Sequence, residues 1–222
     1  MARAGLTRDR VVEAAADLAD AVGFDNVTVS ALARGFGVKD ASLYSHISNL
    51  RDLRTGVALL ASSEFADRIS AAVAGRAGKD ALVAFADAYR AFVLERPGRY
   101  AATQFPVDPE VATASPAYAR TLDVTYSMMR AYDLPEPDLT DAVRLLRSTF
   151  HGYSALEANG AFHDSRDVRA SWERGVEALH VLLEHWPPAR ESAPQSAPAP
   201  PASRVPAPPA RSTPVRRPMT RR

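Results

Sequence analysis

The stretch Gly37-Val38-Lys39-Asp40-Ala41-Ser42-Leu43-Tyr44-Ser45-His46-Ile47-Ser48-Asn49 decides how this chain is read. It joins a glycine turn to one brief helix of small, hydroxyl-bearing and aromatic residues. Such a helix is too short to serve as a core element and too polar on one face to be buried whole. It reads as a probe held out from the surface.

The flanking segments say what holds it. Upstream, Thr7 is placed to cap a helix over residues 8–22, with Asp9 in the first turn where the helix dipole favours an anion. Val11, Ala15, Leu18 and Val22 recur at helical spacing, Gly23 supplies a left-handed cap and Phe24 packs back on the last turn. Thr28 starts a second helix over residues 29–36. Its Val29, Leu32, Ala33 and Phe36 complete a small core with Val38, Leu43 and Ile47, and Gly37 ends it with a positive φ. Downstream, a helical pattern runs without a breaker from Leu50 to about residue 74, before Gly75 and Gly78. Helix, turn, short helix and long connector is the order in which a helix-turn-helix offers its recognition helix to the DNA major groove.

With that order in place, Thr7 through Leu53 resembles the DNA-binding domain of the tetracycline-repressor-like (TetR) family of bacterial regulators. The matching residues are Ala14-Ala15, Leu18, Gly23, Thr28, Leu32-Ala33, Gly37-Val38, Leu43-Tyr44, His46 and Leu53. The resemblance implies an all-α protein in which a three-helix reading domain, residues 1–52, is joined by a long helix to a helical ligand-binding and dimerisation domain, residues 53–186. It also implies DNA contacts from Thr28, Ser30, Lys39, Asp40, Ala41, Ser42, Tyr44, Ser45, His46, Asn49 and Arg51. For Tyr44 and His46 a purely structural role is the competing reading.

The chain departs from that family's pattern in its charges. Family members usually carry a capping serine where Lys39 stands, and often a phosphate-binding lysine where Leu50 stands; Asp40 adds an anion. Residues 1–56 hold seven basic and seven acidic side chains. Because affinity for DNA is largely phosphate neutralisation, a neutral reader binds with a shallower salt dependence than a basic one. Arg51 and Arg54 are the candidates to replace the missing lysine, and Asp40 can accept a hydrogen bond from a cytosine amino group.

Beyond the long helix, Asp80 is placed to cap a helix to residue 95, and Pro97-Gly98 to stop it before a short piece over residues 99–105. Asp108-Pro109 and Ser115-Pro116 are cap-then-proline starts, the second opening a helix to about residue 132. The last two helices, over residues 139–159 and 165–186, carry more apolar surface than one packed face requires. The resemblance implies that they pair with a second copy in a four-helix bundle, with Leu145, Thr149, Gly152, Leu156, Trp172, Val176, Leu179 and Leu183 at the interface. Phe150-His151-Gly152-Tyr153 resembles a helix of one subset of the family's second domains.

The resemblance further implies a small-molecule cavity. Aromatic rings and flexible thioethers suit an apolar or amphipathic guest, which makes Phe85, Tyr89, Phe92, Phe105, Tyr126, Met128 and Met129 candidate walls. His151 is either a hydrogen-bonded structural residue or a cavity residue together with Arg147.

Composition excludes several alternatives. With no cysteine there is no disulfide or thiolate chemistry, and charges interrupt every apolar stretch before it could span a bilayer, so a soluble cytoplasmic protein is expected. His151, Glu157 and His163 lie six residues apart and share no helix face at ligand spacing, which argues against a metal. No catalytic constellation or cofactor motif stands out, so an enzyme is not expected. The expected partners are double-stranded operator DNA, a small-molecule effector and a second copy of the chain, with an activator or architectural DNA-binding protein as the alternative to a repressor. Finally, residues 187–222 carry eleven prolines and seven arginines against Glu191 alone, a composition that cannot build a core; their charge is either solvating or a tether to DNA.

Overall fold

The computed structural model describes residues 5–187. The proline- and arginine-rich tail expected to be unfolded lies, except for Pro187, outside the described residues.

Four helices build the first of two cores. They are α1 (Arg8–Val22), α2 (Val29–Phe36), α3 (Asp40–Leu43) and the first half of α4 (Leu50–Val73). Local chemistry sets their ends: the Thr7 and Thr28 hydroxyls accept from the amides of Arg10 and Ala31, Asn49 accepts from that of Asp52, and Gly37 is left-handed at φ 67°, ψ 33°. Gly23 departs from the expected left-handed cap: φ is 88° but ψ is 143°, which sends the chain outward into a 3₁₀ turn at Phe24–Asn26. Val11, Ala15, Leu32, Leu43, Ile47 and Leu53 fill this core.

The second core gathers α5 (Gly78–Glu95), α6 (Pro97–Ala102), α8 (Pro116–Met129), α9 (Asp138–Ala158) and α10 (Val168–Glu184) around the second half of α4; α7 (Pro109–Ala114) packs on α8. Because α4 has neighbours on several sides, its buried residues do not keep to one stripe. At 1.5 Å per residue it runs about 36 Å from one core into the other.

Several boundaries move. α5 begins at Gly78, so Asp80 is a first-turn acid and Ala77 holds the cap position. Pro97 does not merely stop α5; it opens α6 as the first residue, where a missing N–H costs nothing. α8 gives way to a 3₁₀ turn at Arg130–Tyr132, and α10 waits for Asp167, whose carboxylate accepts from the Ala170 amide.

Candidate DNA-reading face and ligand cavity

The probing element is one turn long. α3 is anchored by Leu43, with Ile47 in the following turn, both fully buried, and this leaves Tyr44 53% exposed. Thr28, Ser30, Lys39, Asp40, Ala41, Ser42, Ser45, Asn49 and Arg51 are exposed too, while His46 is half-buried. Several already have work. Ser30 donates to Asp40, tying α2 to α3, and Ser45 donates to the Ser42 carbonyl at 2.8 Å. The turn after α3 is fastened by Asp52, which accepts two bonds from Arg8 at 2.6 and 2.9 Å and one from the Ser48 amide at 2.8 Å. The Arg8 guanidinium, with the Ser48 amide, holds the Asp52 carboxyl down to about 2.

The two arginines expected to replace the missing lysine do not stand free. Arg51 pairs with Asp108 at 2.9 Å and lies over the Phe105 ring, 5.7 Å from its centroid. Arg54 donates to the Asp25 carbonyl at 2.9 Å and covers Phe24. Both guanidiniums thus have aromatic faces and oxygen partners within their own fold. Phe105 is correspondingly no cavity wall; its ring packs edge-on against Phe24, 5.7 Å away.

The cavity lies in the second core, with a volume near 290 Å³, at the small end for ligand pockets. Of the expected walls, Phe85, Tyr89, Met128 and Arg147 line it. Phe92 and Met129 are buried elsewhere in the same core, Tyr126 is half-buried outside the lining, and His151 is exposed and outside it as well. The Tyr89 and Tyr100 hydroxyls are 2.6 Å apart, and Tyr100 reaches His151 Nδ1 at 2.6 Å. Burial pushes both phenols up, so they stay protonated.

Sequence reasoning missed Tyr100, Thr103 and Gln104 of the α6 side and Tyr118, Thr121, Leu122 and Thr125 of α8. A signal for the α8 set was present: those four recur at helical spacing on one face, yet mix hydroxyls with an apolar residue, which is a lining pattern more than a core pattern. The α6 set had none, because its role depends on what lies on either side of it. Arg99 is 4% exposed and sits among Asp17 at 2.9 Å, Asp20, and Glu64 at 2.9 Å, while its own amide donates to Asp20 at 2.8 Å. At Gly98 any Cβ would overlap the backbone of Ala19 and Asp20. α6 is therefore pressed flat onto α1 on one side and lines the cavity on the other.

The residues expected at a partner interface divide. Trp172, Val176 and Leu183 are buried in the chain's own core and Leu179 packs against it, so none of these offers a free face. The Trp172 indole also donates to Asp87 at 2.9 Å. Leu145 and Leu156 are exposed, with Thr149 and Gly152 half-buried on the same side of α9; Val181 and Leu182 of α10 are exposed although not expected. Glu157, once a conceivable ligand, is paired with Arg90, and among the described residues no cluster is placed to hold a metal. Nor, among them, is any helix long and apolar enough to cross a membrane.

A capped two-helix turn with a short exposed third helix, held on a helical body, is a helix-turn-helix DNA-binding protein. Comparison with known proteins narrows the class. Residues 11–54 match the bacterial regulatory proteins of the tetR family, and residues 82–179 match the tetracyclin repressor-like C-terminal domain. The HTH-type transcriptional regulator Rv0681 of Mycobacterium tuberculosis is 34% identical over 165 residues, 72% of this chain and 74% of that one. YobS of Bacillus subtilis, another HTH-type regulator, is 32% identical over 76% of this chain and 88% of its own. Among solved structures, apo ActR of Streptomyces coelicolor superposes with a TM-score of 0.64 at 19% identity, covering 83% of this chain and 97% of that one. The chain belongs to the TetR family of transcriptional regulators. It is a DNA-binding regulator and not an enzyme.

Proposed function

We propose that this regulator is a cytoplasmic homodimeric repressor, released from a near-palindromic operator when a small apolar or amphipathic molecule fills its cavity. Residues 1–52 read the DNA, residues 53–186 bind ligand and partner, and residues 187–222 form an appended tail. The observation that carries the reading is the double duty of α6. Gly98 and Arg99 lock this helix to α1 and α4, while Tyr100 in the same helix and Thr103 and Gln104 just after it line the cavity.

A guest that displaces the cavity side of α6 cannot leave its other side behind, since the Gly98 contact has no slack and the Arg99 guanidinium is buried against carboxylates of α1 and α4. The motion passes to α1 and α4 and alters the separation of two recognition helices, which successive major grooves require to be about 34–36 Å apart. The ligand shifts this equilibrium only by its differential affinity for the two states. ActR, a fold neighbour, has been captured in complex with actinorhodin, which supports a ligand-filled cavity in this architecture.

Exposed Tyr44, Ser42 and Lys39 are the residues assigned to base and phosphate contacts. The partner face is assigned to the outward side of α9 and α10: Leu145, Thr149, Gly152 and Leu156, with Val181 and Leu182.

The test is footprinting on the intergenic DNA beside the chain's own gene, followed by binding titrations at fixed salt. Tyr44→Ala and Ser42→Ala are expected to weaken operator binding, and a ligand found by thermal shift is expected to release it. Unchanged affinity in both variants would overturn the reading face. A ligand that stabilises the protein while leaving DNA affinity untouched would favour an architectural or activating role over a released repressor.

A further inference from the structure

The charge around the cavity is one-sided. Its lining contains two arginines, Arg144 and Arg147 of α9, and not one aspartate or glutamate. Arg144 has only its helix neighbour Asp141, 3.6 Å away, and its side chain is 76% exposed. Arg147 meets the neutral Gln104 amide oxygen at 3.5 Å. Arg8, Arg51, Arg68, Arg90, Arg99 and Arg169 sit on carboxylates, whereas the Arg147 guanidinium, at the cavity, is left to a weak neutral partner.

The inner end is built differently. Phe85, Phe150, Met128 and Leu146 supply apolar wall, and the Tyr89–Tyr100–His151 chain meets its own hydrogen-bonding needs. Burial keeps both phenols neutral, so the two tyrosine hydroxyls offer polarity without charge. A guest with a negative group would be poorly served there and well served three residues away along α9. The lining thus sorts a ligand end from end: apolar body inward, anion outward to a planar fork that matches a carboxylate in two bonds.

Resting on the ligand-responsive reading above, we propose that the effector is an amphipathic organic acid, whose carboxylate pairs with Arg147, assisted by Arg144, while its aromatic or alkyl body lies against Phe85, Phe150 and Met128. Neutral isosteres of the same shape leave Arg147 unpaired and bind less well. The Arg147 position then sets the chemical class of inducer, and the apolar wall sets only its bulk.

The experiment is a thermal-shift and calorimetric comparison on the full chain, using naphthoate and decanoate, each against its methyl ester and its primary amide. The acids are expected to raise the melting temperature and to bind about tenfold or more tightly than the neutral forms, the increment of a charge-assisted hydrogen bond. In Arg147→Ala the preference for acid over ester is expected to collapse, with ester affinity unchanged; Arg147→Lys restores part of it. Because Arg147 is exposed on α9, the variant is expected to melt as the wild type does without ligand. Esters binding as tightly as acids, or an acid preference that survives in Arg147→Ala, would overturn the proposal while leaving the ligand-responsive reading intact. If neither acid nor neutral forms bind, the acid assignment falls, and a library screen that also finds no ligand takes the ligand-responsive reading with it.

Discussion

At the scale of single residues, Asp52, outside the probe, fastens the turn that follows it. Its carboxylate collects Arg8 from α1 and the Ser48 amide from the turn after α3, and these contacts hold it down to about 2. A depressed carboxyl pKa stabilises the folded state above the unfolded value near 4, and that contribution is lost as pH falls through the folded value. Since the side chain is 25% exposed, solvent screening reduces the effect to the order of 1 kcal/mol. Asp52→Asn is therefore expected to lower the melting temperature at neutral pH, and the gap to wild type to close as pH falls from about 4 toward about 2. A gap that stays constant through that window would show that the Arg8–Asp52 pair does not brace the turn. The contrast with Arg51 shows where sequence reading stops. Thr7, Thr28 and Gly37 act on amides and dihedrals within three residues of themselves, so their roles were legible. Arg51 and Arg54 are claimed by Asp108 and Asp25, and no local pattern announces a partner 57 residues along the chain.

At the scale of elements, α6 and α10 make the same point in opposite directions. Periodicity placed α10 correctly and found its apolar stripe, but could not say whether Trp172, Val176 and Leu183 faced the chain's own core or a partner; the structure buries all three at home. α6 looked like a leftover after Pro97-Gly98, because six residues carry no readable period, yet like α4 it touches both cores. Gly98→Val puts a branched side chain into the α1 backbone, so α6 must lift. A loss of about 3 kcal/mol or more in urea unfolding is expected, above the usual range for overpacking since the obstacle is backbone. By contrast, nothing lies within 4 Å of a Cβ added at Gly152, and Leu145 and Leu156 are exposed on the same helix. Leu145→Asp with Leu156→Asp is expected to leave the fold's circular dichroism intact and to convert the dimer to monomer in sedimentation. A double variant that remains dimeric would move the interface off this face of α9.

At the scale of the whole molecule, the decisive quantity is how the chain grips a polyanion with so little free charge. Seven bases balance seven acids in residues 1–56, and three of the seven bases, Arg8, Arg51 and Arg54, are engaged inside the fold. Lys39 and Arg34 are exposed cations of the head. If they are its phosphate contacts, a dimer neutralises about four phosphates and log affinity falls with log salt at a slope of about −3.6, since each contact contributes about −0.9. Specificity must then come from close contacts by Ser42 and Tyr44 and from the spacing of the two heads, not from electrostatic hold. The tail is the remaining reservoir: its seven arginines face a single acid, Glu191. Removing residues 188–222 separates the two roles left open for it. If the arginines reach phosphates, the full chain shows the steeper slope, by about 0.9 for each contact made, and the truncated chain falls back to about −3.6. Equal slopes with and without the tail assign it to solvation, and leave the regulator a reader by shape and base edge whose affinity falls less steeply with ionic strength than that of a basic head.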